Sequence, residues 1–264
     1  MADSILYVSD HPGHYDSIQA AVMDATHRVH VLTDRRASDE NWPIDVTKKI
    51  TVTGDGTRLE TGGARAFHVH PGNERPPSVS IQGFTIVKGG IDFENVKFAS
   101  VGCVDFRQPV GTGVSITGAA NSNSITHCTV QASTSDGFFI GPKAHGTIID
   151  GCRTIGAGRY GVFANGPAKV DVSGGQYEDS QEAGVKFRRC ESPSITRAYI
   201  EGNGQTGSDA PVETIFADCD TGVVRDCYFQ GLNRTQGAIL SYGDSDFLQQ
   251  GNSFRGYTGT VVST

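Results

Sequence analysis

From Gly113 to about Val262 a small residue followed by alternating apolar residues returns roughly every two dozen positions. The motif reads Gly113-Val114-Ser115-Ile116, Gly137-Phe138-Phe139-Ile140, Gly161-Val162-Phe163-Ala164, Gly184-Val185-Lys186-Phe187, Glu213-Thr214-Ile215-Phe216, Gly237-Ala238-Ile239-Leu240 and Gly259-Thr260-Val261-Val262. It extends backwards to Gly90-Ile91-Asp92-Phe93 and Ala66-Phe67-His68-Val69. A fixed period of this size means stacked units, each of which buries its apolar side only against its neighbours.

A second apolar column precedes each glycine, as in Ile81-x-x-Phe84-x-Ile86, Ile125-x-x-Cys128-x-Val130 and Val224-x-x-Cys227-x-Phe229. Two short strands per period with Gly, Asn, Ser and Asp turns and no helical pattern exclude leucine-rich and helical solenoids. An all-β parallel β-helix of about nine rungs remains, over residues 49–264. Residues 1–48 read as its cap: a strand at 5–8, a helix opening near Asp16 or Ser17 with Ile18, Ala21, Val22 and Ala25 on one face, and a return to alternation from Arg28.

The chain's 264 residues carry a formal net charge of -7 and no basic stripe, which disfavours nucleic acid. No apolar run approaches a membrane span, and the N-terminus lacks the pattern of a secretory leader, so the expected origin is the cytosol. The six cysteines show no CxxC spacing. Cys128 with Cys152, and Cys190 with Cys219, fall on neighbouring rungs about 4.8 Å apart. Free buried thiols are expected, with a Cys190–Cys219 disulfide as the alternative.

The rung Asn123-Ser124-Ile125-Thr126-His127-Cys128-Thr129-Val130, closed by Asp136-Gly137-Phe138-Phe139-Ile140, resembles the right-handed parallel β-helix repeat of the pectate-lyase-like superfamily. Tyr15 to Val22 and Lys49 to Gly56 are similar to that superfamily's N-terminal cap and first rung. The resemblance implies a single-stranded right-handed β-helix with a capping helix, but not one activity, because lyases, hydrolases, epimerases, viral tailspikes and adhesins share the fold. It also implies tests for catalysis. Hydrolases of this type need clustered carboxylates near a Gly-His-Gly, whereas only Ala144-His145-Gly146 is present. Lyases need a calcium-binding carboxylate cluster with a basic residue, for which Asp218, Asp220 and Asp226 with Arg188, Arg189 and Arg225 are the available set. The Asp-Pro-His of alginate epimerases is absent. No catalytic residue, metal ligand or cofactor is assigned; His68-x-His70 has no evident third ligand.

Side chains alternate along a strand, so each column has an outward member. In the glycine strand it becomes apolar: Phe139, Phe163, Ile215, Ile239 and Val261 are candidates for an oligomer interface, a homotrimer as in viral spikes being favoured. The other strand places Tyr199 and Tyr228 beside Glu178, Glu201, Asp226 and Arg153, ring faces and planar polar groups suited to a glycan. The insertion Glu201–Pro211 lengthens that rung. The last rung, at Val261-Val262, has no visible cap, which points to another virion or surface protein at that end. The functional expectation is a virion or cell-surface structural protein that self-associates and contacts host glycans, located on the virion or extracellularly. The competing expectation is a lyase or hydrolase of acidic polysaccharide.

Overall fold

The computed structural model describes residues 5–72, 78–166, 169–205, 212–232, 237–257 and 261–263. Every strand pair among them is parallel and joins successive turns, as Val114–Thr117 does with Phe138–Ile140 and Phe138–Ile140 with Tyr160–Asn165, and the register shifts only between Thr53 and Thr57, where Ile50–Glu60 meets Val79–Val87. One ladder of ten strands runs from Ile44–Val46 to Val262–Ser263 and carries the glycine motif.

From Ser100 onward each turn holds three strands rather than the two read from the sequence, whereas Ile50–Glu60 and Val79–Val87 each run unbroken across two faces. The segment from Asn123 to Val130 divides into Ser124–Thr126 and Thr129–Gln131. Between them His127 adopts a left-handed φ of 51°. That residue breaks the alternation, which is why Ile125 and Cys128 both point inward although three positions apart. Cys103, Gly151, Gly174, Arg197 and Asp226 occupy the same left-handed corner on other turns. The corner stacks by backbone hydrogen bonds: His127 N donates to Asp150 O at 2.9 Å and Gly151 N to Ser173 O at 2.9 Å. The molecule therefore has a first face (for example Ser124–Thr126), a second face (Thr129–Gln131) and a third (the glycine ladder).

The solenoid begins inside the segment expected to be its cap. Ile5–Val8 pairs with Arg28–Val31, and Arg28–Val31 with Ile50–Glu60, so both early strands belong to the first face. The helix Ile18–Asp24 is short, and it starts at Ser17, whose side chain accepts from Ala20 N. Buried Glu40 completes that start by accepting from Ile18 N at 2.6 Å and from Ser17 Oγ at 3.0 Å. Ile18, Ala21 and Val22 cover the open end of the core.

The interior is a stack of aromatic and aliphatic side chains. Phe187 and Phe216 lie with centroids 5.3 Å apart, and Phe229 and Phe254 at 5.2 Å. All six cysteines are free; Cys128, Cys152, Cys190, Cys219 and Cys227 are buried, and Cys103 is exposed at a corner.

The interior also admits a carboxylate. Glu213 is fully buried at the place where the preceding turn carries Gly184 and the following one Ala238. Its carboxylate accepts from the backbone and side-chain amide of Asn203, whose Oδ1 in turn accepts from Ser180 N at 2.9 Å and whose Nδ2 donates to Tyr177 O at 2.9 Å. A buried carboxylate is tolerable only with such partners.

Gly175 and Gly156 both have positive φ but differ in surroundings. A Cβ on Gly175 falls 2.0 Å from the Cys152 carbonyl oxygen, whereas one on Gly156 meets nothing within 4 Å. Ala132 and Asp179 already occupy the Gly156 corner on adjacent turns. In urea unfolding, Gly175→Ala is expected to cost more than about 3 kcal/mol and Gly156→Ala about 1 kcal/mol or less. Equal losses contradict this register.

Candidate functional site

The second face is built from direct register partners Thr129, Arg153, Gln176, Tyr199, Tyr228 and Ser253 on successive turns. Alternation places a second outward column two residues on, including Glu178, Glu201 and Gln230. Tyr199 and Tyr228 stack with centroids 5.4 Å apart and planes within 4°. Beside them Glu201 accepts from the Tyr199 hydroxyl and, at 2.8 Å, from Gln230 Nε2. The hydroxyls of Tyr199 and Tyr228 lie 3.4 and 3.5 Å from Gln230 Oε1. One turn back, Arg153 Nη2 pairs with Glu178 Oε2 at 3.0 Å.

This belt orients both rings. Desolvation first, then donation to the Glu201 carboxylate and its charge, raise the Tyr199 phenol above its ordinary value. Five of the six glycan candidates, Arg153, Glu178, Tyr199, Glu201 and Tyr228, thus share one face. Asp226 does not. It sits at the left-handed corner before that face, more than half exposed, with Arg225 Nε 3.6 Å away. Its position follows from the extra corner, which the sequence reading did not contain. Of the insertion, residues 206–211 lie outside the described residues.

The outward column of the third face runs Asp45, His68, Asp92, Ser115, Phe139, Phe163, Lys186, Ile215 and Leu240. Two interface candidates change place. Thr214 pairs with Ile239 and Ile239 with Val262, so Ile239 is an interior residue, 1% exposed, and Val261 packs beside the core. Alignment on Gly237 produced the one-residue offset; Ala238 is the true successor of Glu213 and Gly184.

Phe163 and Ile215 do point outward but are 8% and 0% exposed. They form a satellite cluster with Tyr160, Ala183, Val212 and Ala217, with Phe139 and Leu240 against it. Lys186 Nζ donates to the Tyr160 hydroxyl at 2.8 Å and lies 4.8 Å from that ring's centroid. Arg159 lies 5.1 Å from the Phe163 ring centroid and grips the buried Asp136 carboxylate, Nε to Oδ1 at 2.9 Å. Burial nevertheless pushes the Asp136 carboxyl up, outweighing Arg159. The expected open apolar stripe is thus withdrawn from solvent within one chain.

The lyase-like set is not assembled. Asp218 and Asp226 occupy separate left-handed corners on either side of the strand Thr221–Arg225. Among the described residues no helix is long and apolar enough to cross a membrane.

A three-faced parallel coil of this kind defines a class, and the chain belongs to it: residues 112–263 match the family described as "Right handed beta helix region". No curated protein matches the sequence significantly. Solved structures similar to it include the surface adhesin PfbA of Streptococcus pneumoniae, at TM-score 0.69 and 11% identity over 98% of this chain and 93% of that one. The catalytic unit of a GH87 alpha-1,3-glucanase from Streptomyces thermodiastaticus gives 0.66 and 13% over 97% and 54%. The A-module of the mannuronan C-5 epimerase AlgE6 from Azotobacter vinelandii gives 0.63 and 13% over 94% and 91%. At these identities the likeness is one of fold.

Two measurements check this geometry. Phe163→Ala is expected to cost about 3 kcal/mol in chemical denaturation, the cost of a buried ring, and a loss under 1 kcal/mol contradicts the satellite cluster. In an ultraviolet pH titration, the tyrosinate signal removed by Tyr199→Phe is expected above the ordinary range near pH 10; a missing signal at or below pH 10 contradicts the Glu201 bond.

Proposed function

We propose that the chain is a non-enzymatic carbohydrate-binding β-helix of a virion or cell surface, and that the second face is where a glycan lies. The observation that carries this reading is the parallel Tyr199–Tyr228 pair, whose hydroxyls lie in the polar belt of Glu201 and Gln230. Two rings fixed in advance offer flat apolar area to sugar faces at little cost in side-chain entropy. Planar carboxylate and amide groups along the next column supply acceptors and donors at the spacing of the turns.

Charge selects the kind of polymer. Arg153 is engaged by Glu178, while among the described residues Glu201 accepts from the neutral donors Tyr199 and Gln230, and the chain as a whole is acidic. The face therefore suits a neutral polysaccharide better than the acidic one that a lyase of this fold takes. A shallow face spanning several turns fits an extended polymer rather than an enclosed small molecule. The adhesin and the polysaccharide-acting proteins of similar fold are consistent with this reading without supplying it.

The test is a glycan-array screen followed by calorimetry. A neutral glycan is expected to bind, and Tyr199→Ala with Tyr228→Ala is expected to weaken it at least tenfold, about 1.4 kcal/mol, at unchanged melting temperature. Binding that survives both changes, or release of reducing or unsaturated ends from any bound polymer, overturns the reading.

A further inference from the structure

At the other end of the third face, three side chains on neighbouring turns converge. Asp45 in Ile44–Val46 is the register partner of His68 in Phe67–Val69, and His70 follows one residue past that strand. Asp45 Oδ1 lies 3.4 Å from His68 Nδ1 and 3.5 Å from His70 Nε2. The ligand atoms of all three lie within 4.8 Å of one another. The imidazoles stack at 4.5 Å with planes 29° apart.

These separations are long for hydrogen bonds, which cluster at about 2.7–3.2 Å. They match the edge of a coordination polyhedron. Ligands about 2.0–2.1 Å from a tetrahedral zinc ion stand about 3.4 Å from one another. We propose that Asp45, His68 and His70 form a binding site for a late first-row divalent cation of the zinc type. Two imidazole nitrogens and one carboxylate oxygen select such ions over calcium or magnesium, which take oxygen ligands.

The surroundings are those of a built site. His68 turns its other nitrogen, Nε2, toward Glu94 Oε2, 3.5 Å away, which is the side from which an outer carboxylate orients a ligating histidine once the gap closes to hydrogen-bond length. Glu94 is a positioning residue here. Asp92, the next outward residue of the ladder, is already held by Arg65 at 2.6 Å and stays outside the set. Asp45 is tied to the helix through Gln19, whose Oε1 accepts from Asp45 N at 2.8 Å while its Nε2 donates to Asp45 O at 3.2 Å. His70 N donates to Val46 O at 3.1 Å. All three backbones are thereby fixed before an ion arrives. The three side chains remain between 30% and 55% exposed, so solvent or a further ligand completes the coordination.

The test uses the full chain without an affinity tag, titrated with Zn²⁺, Co²⁺ and Ca²⁺ separately. One equivalent of Zn²⁺ is expected to bind, with Ca²⁺ at least a hundredfold weaker. Co²⁺ is expected to give the visible absorption of a low-symmetry, four- or five-coordinate site. His70→Ala and Asp45→Asn are expected to lose at least a hundredfold in Zn²⁺ affinity, and Glu94→Gln about tenfold, with thermal melts verifying the fold of each variant. No stoichiometric Zn²⁺ binding by the unaltered chain, or equal binding by His70→Ala, overturns the site. Unchanged affinity in Glu94→Gln overturns the positioning role.

Discussion

Everything in this molecule depends on side chains of one turn resting on those of the next across a parallel ladder. No turn has a core of its own. Phe187 is buried because Phe216 lies against it, and Phe216 because Phe247 follows, 5.5 Å away. Stability is thus a sum of nearest-neighbour interfaces. Left-handed corners keep that stack in register. They permit three flat strands per turn, and where Gly175 leaves no room for a Cβ the backbones of two turns touch.

Once inward positions are fixed, the outward ones are fixed as well, and their chemistry divides the surface. The third face begins with Asp45, His68 and Asp92 and ends with Phe139, Phe163 and Ile215. Its polar end stays open, and its apolar end is withdrawn around Tyr160 and Lys186. The second face keeps a stacked pair of aromatic rings beside polar groups. A regular scaffold thereby presents two chemically distinct surfaces without any long catalytic loop among the described residues.

The repeat made the fold legible, because an apolar pair beside a small residue can recur this often only in a stacked coil. Inward Cys128 and Cys152, and outward Tyr199 and Glu201, followed directly from alternation. The third strand of each turn from Ser100 onward was hidden, since a left-handed corner can be His127, Arg197 or Asp226 as readily as glycine. The same ambiguity displaced Asp226 from the candidate face. Ile239 and Val261 were misplaced because Gly237 resembles the repeat residue, while the structure gives that role to Ala238. Asp45 went unnoticed as a partner of His68 and His70 because its strand lay in the segment read as a cap. Its spacing of 23 residues from His68 was the available signal.

Hydrogen–deuterium exchange with a bound neutral polysaccharide tests the central claim most directly, because it reports where the polymer sits without altering a residue. Slowed exchange confined to residues 176–178, 199–201 and 228–230 is the predicted result. Protection on the third face, with these strands unchanged, would contradict a binding surface organised by the tyrosine pair.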